Sequence, residues 1–100
     1  MEMFNPPHPG KMLRAAMEDT ITVSALARHI GVTRSQLSMI LNGRAGISPQ
    51  MSVKLDEAFD KSEGFWLRVQ HGYDLAQVRK IKRKKIASLK SKLPLLKTAA

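Results

Sequence analysis

Thr33, Arg34, Ser35, Ser38, Met39 and Asn42 are the residues of this chain best placed for chemistry with another molecule. Their spacing gathers them on one side of an α-helix, because positions three and four apart are neighbours on a helix surface. The positions between them, Leu37, Ile40 and Leu41, are apolar and would pin the opposite side to a core. Short hydroxyls, one carboxamide and one guanidinium on an anchored helix suit the major groove of DNA, where base edges present donors and acceptors. An ordinary solvated helix face is the alternative. Enzyme chemistry is poorly supported. His8, His29 and His71 are isolated, with no partner at metal-ligand spacing. There is no G-x-S-x-G elbow and no phosphate-binding glycine loop. The acids Glu18-Asp19 and Asp56-Glu57 are adjacent pairs in helical stretches, so their side chains point apart. No catalytic residue, metal or cofactor is expected.

The stretch Thr22–Gly43 has the punctuation needed to hold such a helix. Thr22 is an N-cap, followed by Leu26, Ala27 and Ile30 at helical spacing. Gly31 stands where a helix ends in a left-handed residue. Ala27 allows close helix approach, and Val32 can plug the angle between the two helices. Thr33 starts the second helix, and Gln36 three residues later completes a capping-box pattern. Gln36 is therefore ambiguous: a side chain folded back on Thr33 is not free to read a base. Asn42-Gly43 stops the helix. The reading is a helix-turn-helix over 22–43. Arg44 lies in the loop just beyond and would face DNA phosphates if the helix enters a groove; a solvated loop charge is equally compatible.

Composition bounds the rest. One hundred residues form one small domain with a marginal core, so dimerisation would help. The absence of cysteine excludes disulfides and thiolate chemistry and fits a reducing bacterial cytoplasm. No signal peptide or membrane-length apolar run is visible. The net charge of +9 is uneven: acids and bases balance up to Val78, and the segment after it carries the whole excess with no acid.

The flanks complete the organisation. The Pro-rich opening predicts an extended arm whose Phe4 could pack on the body or on a partner. A first helix is expected from about Gly10 to Asp19, with Met12, Leu13, Ala16 and Met17 inward. Ser48-Pro49 caps a fourth helix reaching about Phe59, and Ser62 is read as the cap of a fifth. Phe65, Trp66, Val69, Tyr73 and Leu75 are dense for that helix. One face can close the core, and the remainder predicts an exposed patch for a two-fold homodimer. The chain thus divides into 1–78, a helix-turn-helix and dimerisation domain, and 79–100, a basic tail. In the tail Ile81, Ile86, Leu89 and Leu93 permit an amphipathic helix ending before Pro94, lying on DNA, an acidic partner or a membrane. A disordered solvated run is the alternative.

The opening N-P-P-H-P-G-K-M-L, the helix-turn-helix A-L-A-R-H-I-G-V-T-R-S-Q-L-S-M-I-L-N-G, the segment I-S-P-Q-M-S-V-K-L and the closing F-W-L-R-V-Q-H-G-Y-D-L carry a resemblance. Together they resemble HigA-type antitoxins of the XRE (Cro and phage-repressor-like) family, over about residues 5 to 78. The resemblance implies an all-α, five-helix, lambda-repressor-like domain that dimerises and binds an inverted-repeat operator. It also implies a HigB-like partner toxin, an mRNA-cleaving ribonuclease of the RelE type, held inactive by binding. The family's DNA face maps onto Thr33, Arg34, Ser35, Ser38, Met39 and Asn42. Thr22, Val23 and Ser24 open the support helix, where backbone N–H groups can meet a phosphate. Arg34 is suited to guanine O6 and N7, or to a phosphate. Met39 suits a thymine methyl, or the edge of the core. A stand-alone repressor with no toxin is the alternative reading. The basic tail departs from the family's short ending.

Overall fold

A computed structural model describes residues 5–91. Five α-helices follow one another: α1 (Pro9–Met17), α2 (Val23–Ile30), α3 (Arg34–Leu41), α4 (Pro49–Ala58) and α5 (Phe65–Arg79). No strand occurs among the described residues. The fold is all-α, as the sequence implies. Leu13 and Met17 of α1, Leu26 and Ala27 of α2, Leu37, Ile40 and Leu41 of α3, Met51 and Leu55 of α4, and Trp66 of α5 meet in one core with Ile47.

Three helix starts follow from local side chains. Thr22 Oγ1 accepts the Ala25 amide at 3.1 Å, Thr33 Oγ1 the Gln36 amide at 3.0 Å, and Ser48 Oγ the Met51 amide at 3.1 Å. Each satisfies one of the first-turn donors that a helix leaves unpaired. Pro49 occupies the first helical position, where a missing N–H costs nothing. The first helix uses a less common cap. His8 Nδ1 accepts the Gly10 amide at 2.9 Å, and the imidazole stands edge-on to Tyr73 with ring centroids 5.0 Å apart. Residues 5–8 of the Pro-rich stretch are non-helical, as read, yet His8 is half-buried against the body. Phe4 lies outside the described residues.

Two boundaries differ from expectation. The first helix ends at Met17, because Glu18 (φ 45°) and Asp19 (φ 58°) both take left-handed conformations. That reversal delivers Ile21 to the core and Thr22 to the next cap. Ser62 does not cap the fifth helix. The residue before α5 is Gly64, and the cap comes from α4. Asp56 Oδ2 accepts the Gly64 amide at 2.9 Å, Asp56 Oδ1 the Trp66 amide at 3.0 Å, and Ser52 Oγ the Leu67 amide at 3.0 Å. Ser52 in turn donates to Asp56 Oδ2 at 3.3 Å. Both capping side chains are buried, and a carboxylate at a helix N-terminus also meets the positive end of its dipole.

Trp66 is corrected as a dimer residue. It is only 2% exposed, with its ring against Phe59 and Phe65, so it is committed to its own core. Phe65 and Val69 are half-buried and pack on the same cluster, and Tyr73 is half-buried beside His8. Leu75, at 55% exposed, is open. Beyond Arg79, of the two readings of the tail, the amphipathic α-helix does not form in its described part. Residues 82–88 have no regular structure, and a 3-10 turn follows at Leu89–Ser91. Ile81, Ile86 and Leu89 are exposed. Leu93 and Pro94 lie outside the described residues.

Candidate nucleic-acid interface

The turn between α2 and α3 sets the geometry of the site. Gly31, at φ 74°, takes the left-handed conformation that a side chain resists. The Val32 amide then donates to the Ala27 carbonyl at 3.0 Å, closing the end of α2. Lys54 reaches across from α4 and donates to the Gly31 carbonyl at 3.2 Å. The turn is therefore fastened at both faces, and α3 leaves it at a fixed angle.

Leu37, Ile40 and Leu41 are buried, which turns the other side of α3 to solvent. Arg34, Ser35, Ser38, Met39, Asn42 and Arg44 line one open depression on that side. The structure thus unites five of the six outward α3-segment residues with Arg44. The loop after α3 makes this possible: the Arg44 and Ala45 amides donate to the Met39 carbonyl at 2.8 and 3.2 Å. Those bonds fold Arg44 back over the end of the helix. Asn42 Nδ2 donates to Ser38 Oγ at 3.2 Å, so the two polar tips are pre-arranged as a pair. Met39 is 45% exposed, and its thioether belongs to the surface rather than to the core.

Thr33 and Gln36 stand at the start of the helix as a complete capping box. Gln36 Oε1 accepts the Thr33 amide at 2.9 Å, in return for the bond from the Gln36 amide. A bidentate grip on adenine needs Oε1 and Nε2 together, and only Nε2 remains uncommitted here. Thr22 and Val23 sit apart, in a separate concavity shared with Arg14, Asp19 and Ile21. Ser24 is half-buried one residue further along α2. Helix positions one and two have no acceptor within their own helix, so the Val23 and Ser24 amides point out of the N-terminus of α2. Arg14 is the cation missed in reading the sequence. It lies in the last turn of α1, and only the fold brings it beside the start of α2.

Among the described residues no group of three His, Cys, Asp or Glu side chains could hold a metal ion. No helix there is long and apolar enough to cross a membrane.

A helix pinned by its apolar stripe, presenting donors, acceptors and cations outward across a fixed turn, defines a helix-turn-helix DNA-binding regulator. The chain belongs to the helix-turn-helix family HTH_3, of the XRE type, whose model matches residues 11–66. It is 45% identical over 78 residues to virulence-associated protein A' of Dichelobacter nodosus, covering 76% of this chain and 68% of that protein. It is 36% identical over 72 residues to the antitoxin HigA-1 of Vibrio cholerae, covering 70% and 68%. Among solved structures, the Pseudomonas aeruginosa antitoxin HigA with the higBA promoter superposes with a TM-score of 0.69 at 38% identity, over 74% of this chain and 83% of that one. The likeness to HigA antitoxins read from the motifs is thus upheld by sequence and by fold.

Proposed function

We propose that this chain is the antitoxin of a two-component toxin–antitoxin operon. As a homodimer it binds an inverted repeat in its own promoter, and it silences a HigB-like, mRNA-cleaving toxin by direct contact. The observation that carries this reading is the outward face of α3 on a fold shared with an antitoxin solved with its promoter. Arg34 reads a guanine or grips a phosphate, and Ser35, Ser38, Met39 and Asn42 follow the groove. Thr33 and Gln36 support the helix start and add a donor. Thr22, Val23 and Ser24 receive a phosphate at the α2 N-terminus beside Arg14, and Arg44 meets another phosphate at the end of α3. The unit from the start of the chain to residue 78 carries these roles, and the tail from 79 is an appendage.

The test is co-expression with the product of the neighbouring reading frame. Purification of a stable complex, and rescue of growth, support the reading. A partner-free chain that still represses leaves a stand-alone repressor. Arg34→Ala is expected to weaken operator binding by about 5- to 150-fold, from loss of ~1–3 kcal/mol. It should leave neutralisation intact, since the toxin contact is proposed on a surface other than the outward face of α3. Loss of both activities in a folded variant would mean that one surface serves both.

Pairing is expected through the open part of α5 around Leu75 and its half-buried neighbours Phe65, Val69 and Tyr73. Sedimentation at roughly 50 μM should return a dimer, and Leu75→Lys should shift it towards monomer. A monomer under these conditions, with and without operator, would remove this interface. Two recognition helices of such a dimer would meet half-sites about 34–36 Å apart.

A further inference from the structure

The body of this regulator is electrically neutral, yet DNA affinity rests largely on cations that displace counterions from phosphates. All of the excess charge stands after Val78. Between 79 and 91 the cations are Arg79, Lys80, the four consecutive residues 82–85 and Lys90, with no acid among them. Residues 79–90 are all exposed. The run leaves the body from a helix that passes near the end of the recognition helix. Tyr73 packs on His8, and a Cβ placed on Gly43 would stand 4.0 Å from the His8 ring. Gly43 directly follows the end of the recognition helix. From Tyr73 the helix has only about 9 Å to run to Arg79. Residues 80–91 can then extend up to ~40 Å, the length of roughly one turn of duplex.

We infer that the tail is a second DNA contact, a sequence-blind arm that lies along the phosphate backbone beside the operator half-site. This rests on the DNA-binding reading of α3 and adds to it the source of the electrostatic affinity. A membrane surface is the poorer occupant. Ile81, Ile86 and Leu89 are 63–79% exposed along a stretch that is not α-helical, so no apolar face is gathered to enter lipid. The side chains that are gathered are cations, and a chain of them needs no fixed geometry to track phosphates.

The experiment uses the full chain and a variant carrying Lys82→Gln, Arg83→Gln, Lys84→Gln and Lys85→Gln. Each is titrated with its own promoter duplex and with a scrambled duplex at several salt concentrations. If each of the four cations neutralises one phosphate, the log–log salt slope flattens by about 3.6. Both duplexes should lose affinity by the same factor, at least tenfold near 0.15 M salt, so their ratio is unchanged. An unchanged slope overturns the inference. So does a changed promoter-to-scrambled ratio at unchanged slope, which would make the tail a base reader. Binding of the full chain to phosphatidylserine vesicles that the variant loses, with DNA binding intact, would also overturn it in favour of a membrane. Failure of the operator reading looks different: the parent chain would then show no preference for its promoter, while the slope would still report the tail.

Discussion

Asp56→Ala is expected to lower stability by about 2–4 kcal/mol and the melting temperature by roughly 10–30 °C. The carboxylate is 3% exposed and receives the Gly64 and Trp66 amides on separate oxygens. Alanine leaves two N–H groups at the start of α5 without acceptors, in a place water reaches poorly. It also releases Ser52, whose hydroxyl donates to the same carboxylate while accepting from Leu67. Asp56→Asn keeps one carbonyl oxygen and should fall between parent and alanine variant. Thermal melts followed by circular dichroism at fixed concentration measure the loss. Hydrogen exchange should show the Trp66 and Leu67 amides opening first. A loss below ~1 kcal/mol would mean that α5 is held by burial of Trp66 alone, with the cap incidental.

Gly10→Ala is expected to be at least as damaging. A methyl group there would fall on the carbonyl oxygen of Ile40 and within 3.1 Å of Leu41 Cα. Both belong to the backbone of α3, which cannot step aside as a side chain can. The first helix must withdraw from the third, opening the contact of Leu13 with the core. We expect a loss of about 3 kcal/mol or more, at the upper end of overpacking. Because α1 is the support against which α3 holds Arg34 and Ser38 in place, promoter affinity should fall further than the unfolded fraction explains. A variant that melts like the parent would show that the two helices have room to separate.

These positions show what was legible in the chain itself. Thr22, Thr33 and Ser48 are readable because each cap closes over three residues, a distance at which sequence order and spatial contact coincide. The apolar spacing of Leu37, Ile40 and Leu41 likewise determines which side of α3 faces out, and hence the residues of the depression around Arg34. Ser62 misleads for the opposite reason. It has the right side chain near the right place, but α5 is capped by residues on another helix, 8 to 15 positions away. Periodicity cannot report such a partner. Trp66 misleads similarly, since an excess of large apolar residues does not say which of them the core takes first. The early end of α1 was hidden because Glu18 and Asp19 carry no glycine to announce a left-handed turn. Arg14 became a site candidate only once α1 and α2 were brought together.

Gln70 carries a consequence for how the two ends of the domain move. Its Oε1 accepts the Ile47 amide at 2.7 Å, and its Nε2 donates to Asp74 at 2.8 Å. The segment after α3 is therefore clamped to the middle of α5 as well as to Met39. In mechanical terms the clamp makes a lever: a load that tilts α5 is delivered to the loop bearing Arg44. Its compliance is that of one buried side chain, which is stiff because the protein interior is close-packed. A change in the angle of α5 must therefore either carry the Ile47 end of that segment with it or break the Gln70–Ile47 hydrogen bond.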